Sequence, residues 1–251
     1  MSSAAETYRT VMAAEPPPAT TPFESARLEF VFGDVWSRPG LSTRDRRIAT
    51  LACLGAADVP AALDEHTYAA LKNGELTVEE LNEITLHFAV YCGWPKASVF
   101  EMSVRTAWFR VHADRGEEAP AFPALGVEDL GPEPREERLE VGRDSYTEVN
   151  LTPPPPNDSP YFHAGIVNFV FGHVWQRPAL GRRDRRLVTI PCVGVSDAAM
   201  PIHSHIGSAL SSGDLTWDEV QEVILQVSAY YGIAKGQALH DAAEQWRASQ
   251  A

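Results

Sequence analysis

The sequence predicts an all-α protein in which one helical domain occurs twice in tandem, and three observations carry that prediction. First, Phe30 to Ala97 and Phe169 to Gly236 write one pattern twice. Trp36, Arg38, Pro39, Leu41 and Arg44-Asp45-Arg46-Arg47 return as Trp175, Arg177, Pro178, Leu180 and Arg183-Asp184-Arg185-Arg186. The same offset of 139 positions, without a gap, pairs Cys53 with Cys192, His66 with His205, Gly74 with Gly213, Tyr91 with Tyr230 and Lys96 with Lys235. Second, apolar residues recur at helical spacing, and Thr77 with Glu80 and Thr216 with Glu219 have the spacing of capping boxes. Third, strand signals are scarce in either half. Two long copies are not a solenoid; they imply a duplicated domain whose halves pack with pseudo-twofold symmetry.

In chain order, residues 1–22 form an arm, a short mixed segment followed by Pro16-Pro17-Pro18, expected to lie on a neighbouring surface or to stay mobile. The first domain, 23–112, opens with helical spacing from Phe23 to Trp36 and breaks at Arg38-Pro39-Gly40. Ser42 or Thr43 caps a helix from near Arg44, whose run Ile48 to Leu54 is apolar on nearly every face, as a central helix requires. After Asp58-Val59-Pro60, a helix over Ala61 to Asn73 carries His66 and stops at Gly74. Thr77 starts the next helix, with Val78, Leu81, Ile84 and Phe88 on one face, and Gly93-Trp94-Pro95 separates it from a last helix over Ala97 to His112. Residues 113–160 form a linker and second arm. Ala113 to Glu148 reads as linker with a short helix around Arg135 to Leu139, and Pro153 to Pro156 echo the first arm's stiff prolines. The second domain, 161–248, repeats the helices at Tyr161 to Trp175, Arg182 to Val195, Pro201 to Ser211, Trp217 to Tyr231 and Lys235 to Ala248.

Composition narrows the function. The 251 residues suffice for one large or two modest cores, and two compact domains fit best. A formal charge of −13 repels phosphate backbones, so nucleic acid is not expected as a partner. Cys53, Cys92 and Cys192 form no CxxC and no Cys/His cluster at ligand spacing; neither a metal nor a disulfide framework is expected, and a reducing cytoplasm is the expected setting. No stretch reads as a signal peptide or a membrane span. Nucleophile-elbow, dinucleotide, P-loop and zincin motifs are all missing, so an enzyme on this chain is expected to work by positioning and proton transfer without a cofactor.

The repeat singles out the candidate residues. His66 and His205 hold one matched position and can exchange a proton near neutral pH; a backbone-bonded core histidine is the competing reading. His203, matched by Asp64, occurs only in the second half, and its spacing from His205 makes a poor metal pair. Arg44 and Arg47, like Arg183 and Arg186, share a helix side and offer forks for a substrate carboxylate, against structural salt bridges to Asp45 or Asp184 of another subunit, or to Glu80 or Glu219. Tyr91 and Tyr230 suit a cavity wall or a subunit contact. Trp36 and Trp175 suit packing anchors, with a ligand platform as the alternative.

Trp36-Ser37-Arg38-Pro39-Gly40-Leu41, Arg44, Arg47, His66, Ala70 to Thr77, Glu80, Glu83 and Tyr91 to Pro95, with their echo in Trp175 to Leu180, His205, Ala209 to Thr216, Glu219, Glu222 and Tyr230 to Gly232, resemble the gamma-carboxymuconolactone decarboxylase family. The resemblance implies an all-helical domain related to AhpD-like hydroperoxidases and a homo-oligomer, in which three tandem chains build a pseudo-hexameric ring, a dimer being the alternative. It implies a lyase that removes carbon dioxide from a carboxylated unsaturated lactone without metal or organic cofactor. His66 or His205 would move the proton, and Arg47 or Arg186 would hold the carboxylate. Where that family carries glutamate four positions before the histidine and arginine two after, this chain has Ala62 and Tyr68, or Pro201 and Gly207. Positions matching the redox branch's CxxC hold Val59 and Ala62, or Ala198 and Pro201. The expected substrate is therefore a small acid or lactone, or a more apolar biosynthetic intermediate, for which Tyr68 is a further lining candidate. A cofactor-free isomerase or cyclase, and a noncatalytic binding protein, are the alternatives.

Overall fold

The computed structural model describes residues 3–124, 137–156 and 158–250, and every regular element among them is helical. Ser3 and Glu6 close a capping box on α1 (Ala4–Met12), so the first arm is a helix before it becomes proline-rich. Thr21 and Glu24 do the same for α2 (Pro22–Ala26), which runs into a π-helical stretch, Arg27–Val35. Then come α3 (Thr43–Ala57), α4 (Pro60–Lys72), α5 (Val78–Cys92) and α6 (Trp94–Asp114). The second half repeats this order with α7 (Arg138–Asn150), a π-helical stretch Tyr161–Phe171, α8 (Arg182–Val195), α9 (Ala199–Ser212), α10 (Trp217–Tyr231) and α11 (Ile233–Ser249). The short helix expected around Arg135 to Leu139 begins outside the described residues; α7 runs on to Asn150 and is the second-half counterpart of α1.

Helix ends follow local chemistry. The capping boxes at Thr77 and Thr216 form as the spacing predicts. Gly74 and Gly213 take positive φ where α4 and α9 stop, and no atom lies near the position of a Cβ at either.

The central pair is α3 and α8, apolar on nearly all faces and packed against each other across the pseudo-twofold axis. Each is flanked by a helix from the opposite half, α10 against α3 and α5 against α8. One continuous core results, running from Leu51, Leu54 and Ile84 to Ile190, Val193 and Val223. This crossing decides what the site is made of, because each central helix carries its arginines toward side chains of the other half.

Candidate functional site

Residues 44–47 and 183–186 sit in the first turns of α3 and α8 and diverge in role. Arg44 forks onto Asp184 at 2.8–2.9 Å and also reaches Glu80, while Arg183 forks onto Asp45 and reaches Glu219. These reciprocal pairs staple the halves together within one chain, where the sequence pattern suggested Asp45 and Asp184 of another subunit, and they occupy both arginine forks. Arg46 is fully buried and bonds Glu222 at 2.7 Å and Gln226 at 3.2 Å, both on α10.

Arg47 is also fully buried. Its Nε and Nη2 form a bidentate pair with Glu75, Nη2 also caps the Val11 carbonyl at the end of α1, and Nη1 lies 2.6 Å from His66 Nδ1. Its bonding is thus spent inside the protein. A guanidinium can only donate, so His66 Nδ1 carries a lone pair and the imidazole proton sits on Nε2. Burial, reinforced by the Arg47 charge, holds the His66 pKa well below the ordinary imidazole range, so the ring is neutral. Nε2 faces the Tyr230 hydroxyl of α10 at 3.4 Å, and that oxygen accepts from Trp36 Nε1 at 2.7 Å. Trp36 stacks on the imidazole with ring centroids 6.1 Å apart and lies 5.0 Å from the Arg47 guanidinium. Burial raises the Tyr230 pKa, so its phenol stays protonated.

The second half builds the counterpart. Arg186 bonds Asp214, Ser208 and the Val149 carbonyl at the end of α7, with Nη1 3.4 Å from His205 Nδ1. Tyr91 of α5 closes on His205, and Trp175 donates to its hydroxyl at 3.3 Å. Burial and the Arg186 charge lower the His205 pKa to about 3, and burial pushes Tyr91 up to about 12.

A third histidine escaped the sequence reading. His87 on α5 is fully buried and held far below the usual pKa, first by burial and then by Arg185. Its Nδ1 faces Arg185 Nη1 at 3.3 Å and its Nε2 faces Thr189 at 2.8 Å. The matching position holds Gln226, whose Oε1 accepts from Arg46 and whose Nε2 donates to Thr50 at 2.9 Å. A glutamine and an Nε2-protonated histidine offer the same acceptor and donor, so one network is written in two residue types. The repeat argument could not flag a position whose two copies differ.

Other candidates lie elsewhere. His203 is exposed on α9 and does not join the His205 cluster. Tyr68 is buried between α4 and α6, bonded to Asp114 and Lys72 and covered by Arg110, outside the lining of the cavity at His66. Glu75 and Asp214, which hold the inner arginines, carried only the signal that both copies place an acid after the glycine.

His66 and Tyr230 form the inner wall of a cavity of about 620 Å³. Its other walls are largely apolar, with Tyr8 and Met12 from α1, Phe23 from α2, Phe30 and Phe32 from the π-helical stretch, and Leu54 from α3. That volume lies in the range of small-molecule sites. Among the described residues no group of His, Cys, Asp and Glu side chains could hold a metal ion, and no helix is long and apolar enough to cross a membrane.

The profile of the Carboxymuconolactone decarboxylase family matches residues 22–101 and 160–245. A nitrosuccinic acid decarboxylase of Metarhizium robertsii is 36% identical over 100 residues, covering 40% of this chain and 68% of that protein. A 4-carboxymuconolactone decarboxylase of Acinetobacter baylyi is 38% identical over 76 residues, covering 30% of this chain and 56% of that protein.

Proposed function

The chain belongs to the carboxymuconolactone decarboxylase family, and on that footing we propose that it is a cofactor-independent lyase of the decarboxylating type, working at His66 in the first-half cavity. The observation that carries this reading is the neutral imidazole, fixed by Arg47 on one nitrogen, with its Nε2–H held only by a long 3.4 Å contact to the Tyr230 hydroxyl at the wall of a largely apolar cavity. The reaction it suits begins with a carboxylate placed β, or vinylogously, to a carbonyl. The bond to the carboxyl carbon breaks, carbon dioxide leaves, and the electron pair passes into the carbonyl as an enolate. His66 Nε2–H donates to the oxygen as charge develops there, in a low-dielectric surrounding where such a bond has its greatest effect. Water from the cavity mouth then supplies the proton to carbon.

In this scheme His66 acts as a donor, not as the base that its residue type alone brings to mind, because the only nitrogen with a free lone pair is occupied by Arg47. Arg47 is a positioning residue. It fixes the tautomer and keeps the ring neutral, and the substrate carboxylate is held by another group. Tyr230 and Trp36 hold the plane of the imidazole from the side opposite Arg47.

The test measures carbon dioxide released from a carboxyl-labelled panel of β-keto and vinylogous acids of increasing apolar size, with nitrosuccinic acid and 4-carboxymuconolactone included. His66→Leu is expected to lower kcat by roughly 10²- to 10³-fold, the usual effect of removing one oxyanion donor, while His205→Leu stays within a few-fold. Equal losses in the two variants would defeat the assignment to the first half. Conversion without loss of mass would favour the isomerase or cyclase reading, which the same N–H donor and apolar walls would serve. Saturable binding with no conversion would favour a noncatalytic role.

A further inference from the structure

The remaining question at this site is what holds the substrate's acid group, since the guanidinium of Arg47 is spent on Glu75, the Val11 carbonyl and His66. The cavity lining offers one other cation, Arg27, on the π-helical stretch. Arg27 is exposed, stands 6.0 Å from the Phe23 ring, and has no carboxylate partner among the described residues. The remaining charged lining residue, Glu65, already pairs with Arg110 at 2.9 Å and so leaves the Arg27 charge unanswered. Between this exposed cation and the buried imidazole the walls are Tyr8, Phe30, Val31, Phe32, Leu54 and Ala62. A small dicarboxylate would leave most of that apolar surface in contact with water. A molecule with an anionic end and an apolar body covers it.

We propose that Arg27 is the anion anchor of the first-half cavity and that the ligand is an amphipathic carboxylic acid, its carboxylate at the mouth on Arg27 and its aromatic or aliphatic body against the Phe30 and Phe32 walls. For turnover, the reacting carboxyl is a second one, or the same acid turned inward toward His66. The second half does not repeat this anchor at the matching position, which holds Ile166, packed into a small core with Val149, Val170 and Trp175. The proposal rests on the reading of the His66 cavity as the working site, and binding can be measured apart from catalysis.

The experiment titrates the full chain calorimetrically with 6-phenylhexanoate and with 6-phenylhexanol as its uncharged counterpart. Wild-type protein is expected to bind the acid roughly five- to fiftyfold more tightly than the alcohol, as one charge-assisted bond allows. In Arg27→Gln the acid should fall to the affinity of the alcohol while the alcohol is unchanged; the side chain is exposed, so folding is not at stake. Ala62→Trp, which fills the cavity, should weaken both probes. Equal affinity for acid and alcohol in wild type, an acid affinity indifferent to Arg27→Gln, or neither probe binding would each overturn the proposal. If the probes behave as expected but no acid releases carbon dioxide, the decarboxylase reading fails and the anchor stands. If a small polar acid is decarboxylated with no dependence on Arg27, the anchor fails and the decarboxylase reading stands.

Discussion

The two histidine centres begin from one plan and end in different environments. Both place an imidazole between an inner arginine and a tyrosine from the opposite half, and both stack it on a tryptophan. The differences lie in the arm that covers each. Gly142 of α7 rests on Val167 and Gly172 so closely that a Cβ at 142 would collide with the Val167 backbone. At the first-half contact, Gly33 meets Ala4, whose Cβ lies 3.4 Å from the place a Cβ of Gly33 would take. A glycine pair lets the second arm lie flush on its π-helical stretch, whereas one methyl group stands the first arm away. The second arm buries Val149 with Val170 and Trp175 as the first buries Val11 with Phe32 and Trp36, and the first also contributes Tyr8 and Met12 to cavity walls. The contrast teaches that the cover of a duplicated site can change while the reactive residues stay in place.

The largest effect expected from breaking this comparison concerns the inner arginines. Arg47→Met keeps the volume but leaves Glu75, nearly buried, with only Asn73 at 3.1 Å as a side-chain partner. Removing one member of a buried pair costs about 3–5 kcal/mol, and urea unfolding should show it. Arg186→Met should cost at least about 1 kcal/mol less, because Asp214 keeps Arg182 at 2.7 Å. Equal losses would mean that Arg182, half exposed, does not compensate.

The arm contacts come next. Gly142→Ala forces a methyl group into backbone and should destabilise the protein by about 1–3 kcal/mol, with α7 displaced. Ala4→Gly should cost less than about 1 kcal/mol, its helix propensity alone. If Gly142→Ala were silent in calorimetry, the arm would not seat the second half as tightly as its packing requires.

Much of this was legible in the residues. The repeat, the capping boxes and the breaks at Pro39, Pro60 and Gly93 located the helices, and matched positions named His66, His205, Tyr91, Tyr230 and both tryptophans. The exchange of α5 and α10 between halves was not legible, since periodicity reports which face is apolar and not which neighbour covers it. For the same reason the salt-bridge reading of Arg44 placed Asp184 in another subunit, whereas Asp184 meets it within one chain across 140 positions. The helix of the first arm had a signal, Ser3 three residues before Glu6, that the proline-rich sequence beside it obscured.

The smallest effect tests the network written in two residue types. His66, His87, His173 and His205 are neutral in the folded chain because burial lowers their pKa values, that of His173 to about 4 and that of His205 to about 3. Unfolded, each binds a proton below about pH 6.5, so the unfolded state gains protons that the folded state refuses. Stability is therefore lost as the pH falls from about 6.5 toward the folded pKa values, by about 5 kcal/mol per pH unit for four such groups. His87→Gln copies Gln226, which makes the same acceptor and donor contacts with Arg46 and Thr50. At pH 7.5 the variant should match wild type to within about 1 kcal/mol, a cost typical of a hydrogen bond re-formed in slightly altered geometry. Between pH 6 and 5 its loss per pH unit should be about one quarter smaller, since one of four refused protons no longer exists. A wild-type slope in the variant would show that His87 carries its proton in the fold, and the equivalence of histidine and glutamine across the two halves would fall with it.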